Sequence, residues 1–260
     1  MFDSLYIAAA GMVAHQSAVD TIANNLANLN TVGFRRGIVS YSEISSQLAA
    51  SALDPAAQLA QATDATGAGS TATTTLSMLP GTLQASDQPL DVAISGAGFL
   101  EVLRPDGTPA YTRAGSLEVN TDGLLATADG SPLAGQIQVP PDAKSITIAA
   151  DGTVSAIEAG GTTPVQLGRI QLVSFADPAA LLPAGDNLYT APPEAGAAQP
   201  GTPGTSGLGE LRQGYLESSD VQMSQEMVSL MLAQRGFELN SKVVQTADQL
   251  WSITNGLVRS

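Results

Sequence analysis

Apolar residues recur along this chain with two periods, helical at both ends and strand-like in the middle. Leu5, Ala8, Met12, His15, Val19, Ile22, Leu26 and Leu29 alternate in steps of three and four, which keeps them on one stripe of a helix. Asp3, Gln16, Ser17, Asp20 and Asn24 fall mostly off that stripe, and Asn28-Leu-Asn-Thr-Val-Gly33 supplies the residues that stop a helix and turn the chain. A second long helix is predicted after Ser218-Ser219-Asp220, which are suited to an N-cap. Met223, Met227, Leu230, Met231, Phe237, Val244 and Trp251 recur at helical spacing, and Asn255-Gly256 ends it.

From Leu76 to Tyr189 the period is that of strands. Val92–Ile94, Phe99–Leu103, Tyr111-Thr112, Leu117–Val119, Leu124-Leu125, Ile146–Ile148 and Val165–Phe175 are short β-prone runs. Asp106-Gly107, Asp122-Gly123, Asp129-Gly130 and Asp151-Gly152 stand between them, and Asp-Gly favours the positive φ of tight antiparallel turns. Short strands with repeated turn signals predict an all-β sandwich or barrel-like domain. Residues 46–75 are rich in Ala, Ser, Thr and Gln and read as a linker, with a short helix predicted over 56–62 behind Asp54-Pro55. Residues 190–209 are rich in Pro and Gly and read as a hinge. The fold class is therefore α+β, with long N- and C-terminal helices forming a coiled-coil-like domain and a central all-β domain between linkers.

Charge sharpens this division. Residues 1–45 hold three acids and two bases, and residues 210–260 hold six acids and four bases. Of the chain's 24 acids and 10 bases, 15 and 4 therefore fall in 46–209, a net of −11 out of −14 overall. Nearly neutral ends can pack against copies of themselves, whereas an acidic centre stays solvated. No cluster of Lys and Arg is present to bind nucleic acid or anionic lipid. No run reaches the 18 or so apolar residues of a membrane span, and Asp3 ahead of the first apolar run argues against a cleaved signal peptide.

The chemistry on offer is thin. With no cysteine, disulfides, thiolate metal sites and cysteine nucleophiles are excluded. His15 is the single histidine, and on the helical stripe it reads as a packed interface residue rather than a general base. Gly96-Ala-Gly98 begins like a dinucleotide fingerprint, but Glu101 occupies the third glycine slot and no helix follows, so it reads as a β turn. The central acids show no spacing that singles out a glycosidase pair, and Met223, Met227 and Met231 read as core or interface. No cofactor, metal or catalytic residue is expected. A secreted β-rich hydrolase or carbohydrate-binding protein with dimerisation arms is the alternative of a different class.

Two terminal stripes left in water are association sites, and such helices gain most of their stability by packing. Copies of the chain should therefore bundle through their ends. Asn24, Asn25, Asn28 and Asn30 add amides where mid-helix Asn costs propensity; they read either as caps of a fraying helix end or as hydrogen-bonding groups between copies as the chain turns, and the resemblance given below favours the second.

Three stretches carry a resemblance. Asp20-Thr-Ile-Ala-Asn-Asn-Leu-Ala-Asn-Leu-Asn-Thr-Val-Gly-Phe-Arg-Arg36 resembles the N-terminal signature of the bacterial flagellar rod and hook protein family. Leu90-Asp-Val-Ala-Ile-Ser-Gly-Ala-Gly-Phe99, with Tyr111-Thr-Arg-Ala-Gly115, is similar to the start of that family's β domain. Gln213-Gly-Tyr-Leu-Glu-Ser-Ser-Asp-Val221, with Glu226-Met-Val and Gln234-Arg-Gly-Phe-Glu-Leu-Asn-Ser-Lys242, is similar to its C-terminal helix. Asp186-Asn-Leu-Tyr189 and Gln213–Ser219 favour the distal-rod branch over the proximal rod or a short hook protein. Pro80-Gly81 departs from the family's common Gln-Gly, and the Ala- and Thr-rich 46–75 departs as well.

The resemblance implies a structural subunit that self-assembles into a hollow helical tube and transmits motor torque to the hook. It implies export through the flagellar type III apparatus and a place in the basal body, in the rod crossing the periplasm. The partners implied are copies of itself, other rod and hook proteins and the ring proteins around the rod, with no nucleic acid and no membrane insertion. Residues 1–45 and 210–260 are then paired helical polymerisation segments, 46–75 a linker or insertion, and 76–209 the β domain ending in the hinge. The polymer interface is expected at Leu5, Met12, His15, Val19, Ile22, Asn24, Asn25, Leu26, Asn28, Asn30, Gly33 and Phe34, and at Met227, Leu230, Phe237, Asn240, Val244 and Trp251.

Overall fold

The computed structural model describes residues 2–43, 70–161 and 163–258. The helix expected over 56–62 lies outside the described residues. The fold is α+β, with a helix at each end and a β-rich middle, and the chain divides into two units.

The first unit takes in residues 1–27, 37–75 and 222–260. It contains α1 (Phe2–Ala27), β1 (Gly37–Glu43) paired with β2 (Ser70–Leu76), and α2 (Met223–Val258). β2 lies in a stretch whose composition reads as a linker; its alternating Thr and small residues suit a two-stranded ribbon. At 1.5 Å per residue the helices are about 39 and about 54 Å long. They meet where Asn25 faces Glu226, Ala18 faces Ala233, His15 faces Gly236 and Gly11 faces Asn240. Position falls along one helix by the step it rises along the other, so the pair is antiparallel.

The buried line of α1 is Ala8, Ala14, Ala18, Ile22 and Asn25. It shares Ala8 and Ile22 with the predicted stripe but otherwise runs about one residue earlier, leaving Met12, Val19 and Leu26 half-buried at its flank. Small side chains explain the shift, because they let two backbones approach where Met or Leu would hold them apart. The glycines give the measure. A Cβ on Gly236 would lie 2.5 Å from the His15 ring, and one on Gly11 would lie 2.6 Å from Asn240 Nδ2.

The second unit takes in residues 28–36 and 76–221. Its strands begin with β3 (Leu83–Ala85), β4 (Val92–Ser95), β5 (Phe99–Leu103), β6 (Pro109–Thr112), β7 (Leu117–Val119) and β8 (Leu125–Thr127). They continue with β9 (Ala143–Ile148), β10 (Thr153–Glu158), β11 (Val165–Arg169), β12 (Leu172–Ser174), β13 (Leu182–Pro183), β14 (Tyr189–Thr190), β15 (Gln199–Gly201), β16 (Glu210–Gln213) and β17 (Tyr215–Glu217). A six-stranded sheet runs β13-β14-β6-β5-β12-β15, a three-stranded one runs β11-β10-β9, and β4, β3 and β7 pair with β16, β17 and β8. The main core joins them through Val92, Ile94, Leu100, Val102, Leu125, Val154, Leu172 and Leu211, all at most 2% exposed.

The Asp-Gly turns form as their chemistry requires. Gly107, Gly123, Gly130 and Gly152 all have φ between 76° and 84°, and each donates its N–H back across a turn. Gly96 and Gly98 also have positive φ and join β4 to β5 with no helix between. The run 165–175 is two strands rather than one, broken at Ile170, which is buried and donates to Gly152 O. The stretch 190–209 is folded, contrary to the hinge its composition suggests. It holds a 3-10 turn over Pro193–Ala195 and all of β15, and it buries Ala195 and Leu208.

One prediction follows from the helical pair. An exposed helical Gly→Ala change gains about 1 kcal/mol in propensity, yet Gly236→Ala should lower the stability of the first unit because the new methyl meets the His15 ring. Adding His15→Ala should recover the loss. Thermal melts of the two single variants and the double variant, closed as a cycle, test this, and additive effects count against the packing.

Candidate functional site

Charged side chains are seldom fully buried unless paired, so a buried carboxylate between two buried guanidiniums stands out in the second unit. Glu217 closes β17 at 1% exposure, with Arg35 at 3% and Arg113 at 4%. Arg35 Nη2 donates to Glu217 Oε1 at 2.8 Å and Arg113 Nε donates to Oε2 at 2.9 Å. The Gly81 N–H adds a bond to Oε1 at 2.9 Å, and the Glu217 carbonyl accepts from the Gly33 N–H at 2.7 Å. Further guanidinium hydrogens go to main-chain carbonyls, from Arg113 to Ile94, Gly96 and Gly98, and from Arg35 to Leu79, whereas the buried Arg35 Nε meets no acceptor among the described residues.

Backbone geometry makes room for this knot. Gly33 has φ +67°, and a Cβ there would sit 2.5 Å from the Arg113 carbonyl. A Cβ on Gly81 would lie 1.9 Å from Ser218 O. Around the knot, Tyr189 Oη accepts the Arg35 N–H at 3.3 Å, Asp220 Oδ1 accepts the Arg36 N–H at 2.7 Å, and Asn187 Nδ2 donates to Val32 O at 2.7 Å. The knot thus gathers residues 32–36, 79–81, 94–98, 113, 187–189 and 217–220. These include residues from all three stretches that carry the family resemblance.

Electrostatically, two cations flank one anion. Burial lowers the Arg113 pKa and Glu217 works to raise it. Burial raises the Tyr189 phenol above its ordinary value, an effect partly offset by the Arg35 N–H and the nearby guanidinium. Both carboxylate oxygens of Glu217 are bound by the chain itself, which fits a structural brace and not a reacting centre.

A second polar clamp lies in the helical unit. Asn25 is 2% exposed, and its amide pairs with the main chain of Gly37 in both directions at 2.9 Å. Its Nδ2 also reaches Glu226 Oε2 at 3.2 Å. An asparagine side chain copies the donor and acceptor of a peptide, so it fastens the first residue of β1 to α1 as a strand neighbour would.

The residues expected at a polymer interface distribute as follows. Met12, His15, Val19 and Leu26 are half-buried, Ile22 is buried, and Leu5 lies in α1. The His15 ring lies 5.8 Å from that of Tyr41. Asn24 and Asn30 are exposed, Asn28 and Phe34 half-buried, and Gly33 buried. On α2, Leu230, Asn240 and Val244 are half-buried, whereas Met227, Phe237 and Trp251 are exposed. Sequence reading did not foresee the Arg35–Glu217–Arg113 knot. The available signal was three charged residues inside glycine-bearing motifs, but nothing in their spacing says that they meet. Among the described residues no group of three or more His, Asp or Glu is arranged to hold a metal, and no helix is long and apolar enough to cross a membrane.

Comparison with known proteins follows the same divisions. Residues 5–35 match the flagella basal body rod protein family, residues 93–156 the flagellar hook protein FlgE/F/G D1 domain, and residues 212–257 the flagellar basal body rod FlgEFG protein C-terminal family. The flagellar basal-body rod protein FlgG of Borreliella burgdorferi is 39% identical over 264 residues, covering 100% of each chain. The FlgG of Caulobacter vibrioides is 38% identical over 98% of each chain, and the rod protein FlgF of Salmonella typhimurium is 35% identical over 93% of this chain and 91% of its own. The chain belongs to the flagellar basal-body rod protein family: it is a structural subunit of the rod and not an enzyme.

Two outcomes are expected. Glu217→Gln removes the charge between two buried cations, so the second unit should lose about 3–5 kcal/mol, read by denaturant unfolding; a loss below about 1 kcal/mol means that the knot braces nothing. Tyr189 should titrate above pH 10 in an absorbance titration referenced to Tyr189→Phe. Because its folded pKa is raised, its contribution is fully present below pH 10 and is lost as pH rises through the raised value. The Phe variant should therefore lose less stability than the parent over that alkaline range.

Proposed function

We propose that the chain is the subunit of the distal rod and that it polymerises through its two helical ends into a hollow helical tube carrying torque to the hook. The observation that carries this reading is apolar surface left on both helices. Ile7 and Val13 of α1 are 45% and 70% exposed, and Leu232 and Leu239 of α2 are 64% and 62% exposed. Isolated exposed apolar residues such as Ile7 and Val13 are ordinary by themselves, but a row of them along the whole of α2 is an interaction surface. Neighbouring subunits would cover that apolar surface in a coiled-coil-like bundle, with residues 1–45 and 210–260 as the polymerisation segments and Met227, Phe237, Trp251, Asn24 and Asn30 turned to the neighbours. The distal position is supported by relatives named FlgG at 34–39% identity, which span nearly the whole chain.

On this reading the partners are copies of the chain, other rod and hook proteins, the rings around the rod and the type III export apparatus. The place is the rod where it crosses the periplasm. Residues 46–75 are a linker or insertion.

Val13→Asp and Leu232→Asp test it. Each places a charge on an exposed position, so the isolated chain should change in stability by at most about 0.5 kcal/mol while filament formation, imaged by electron microscopy, is lost. Tubes of normal appearance from both variants would end the proposal.

A further inference from the structure

Three of the chain's six methionines stand in one row. Met223, Met227 and Met231 are spaced by four along α2 and are 51%, 52% and 53% exposed. Val228 and Leu232 border them at 52% and 64% exposure. Met12 and Met78 are half-buried, Met78 against the cluster of Phe99, Tyr111 and Tyr189. The unbranched thioether adapts its shape readily, which suits a surface that must fit a neighbour. It also makes the row chemically distinctive, since an exposed thioether is the oxidisable group of a chain without cysteine.

We propose that Met223, Met227 and Met231 form a peroxide-sensitive modification site and that their oxidation to sulfoxides stops the chain from assembling. A sulfur lone pair attacks one peroxide oxygen and the O–O bond breaks. The departing hydroxide takes the proton left on the transferred oxygen, giving the neutral sulfoxide and water. Sulfur is oxidised by two electrons and the peroxide is reduced by two, so no further reactant is needed. Each sulfoxide places a strong hydrogen-bond acceptor on an apolar row. In water the group is solvated at no cost, but beneath a neighbouring helix it is buried without a donor. The free chain therefore tolerates the change and the assembled one does not. This second step rests on the assembly reading above, whereas the selectivity of oxidation does not.

The test uses the full-length chain treated with dilute hydrogen peroxide. Peptide mass spectrometry follows the gain of one oxygen at each methionine. The three α2 methionines should oxidise about tenfold faster than Met12 and Met78; equal rates overturn the site. Oxidised chain should then give about tenfold less polymer by sedimentation, and methionine sulfoxide reductases should restore it. Whatever polymer M223L/M227L/M231L forms untreated, it should form undiminished after peroxide, because it has no thioether in the row to oxidise. Oxidised parent chain that assembles undiminished, or a triple variant that loses assembly equally on treatment, overturns the effect. If the triple variant fails to assemble untreated, reductase rescue of the parent decides in its place. If the untreated parent forms no polymer, the assembly reading falls, and the oxidation rates of the free chain still decide the site.

Discussion

The second unit depends on one buried carboxylate. Glu217 lies far along the chain from Arg35, with Arg113 between, and it binds both while its own carbonyl holds Gly33. Enclosing three charges carries a large desolvation cost, and apolar side chains of similar volume often give more stability. Geometry is what the ion triad supplies in return. A planar guanidinium and a carboxylate fit in few orientations, whereas a greasy contact fits in many. The Glu217 knot therefore fixes how residues 32–36 lie against β17 and the β4–β5 turn.

Unit boundaries and sequence boundaries differ for the same reason. Periodicity divides the chain into helix, strand-rich middle and helix, and the large elements follow it. Phe99–Leu103 and Leu117–Val119 were legible to the residue, as was the role of every Asp-Gly pair. The turn over Asn28–Gly33 was legible, but not that residues 28–36 join the second unit, which they do through Gly33, Arg35 and Arg36, whose partners are distant in the chain. The Pro- and Gly-rich 190–209 misleads in the other direction. Composition marks it as a hinge, but Ala195 and Leu208 are core residues that only three-dimensional packing identifies.

The helices show a related limit. A stripe drawn through the largest apolar residues of α1 lies beside the line that packs, because Ala, Gly and Asn carry the close approach. Hydrophobicity ranks side chains by how much they gain from burial, while close helix pairing selects those small enough to allow it. The larger residues are then left at the flanks and on the outer face, where they are available to other chains. Asn25 was legible as unusual but not as intramolecular, since its partners are a backbone and a residue of the other helix.

The six-stranded sheet ends in two short strands that each carry a proline, Pro183 in β13 and Pro200 in β15. Proline has no N–H to offer a further strand. An exposed sheet margin is a hazard, because it can fuse with another into an uncontrolled ribbon. Proline at both margins therefore closes the sheet to strand addition, so the β unit does not extend its own ladder into another chain.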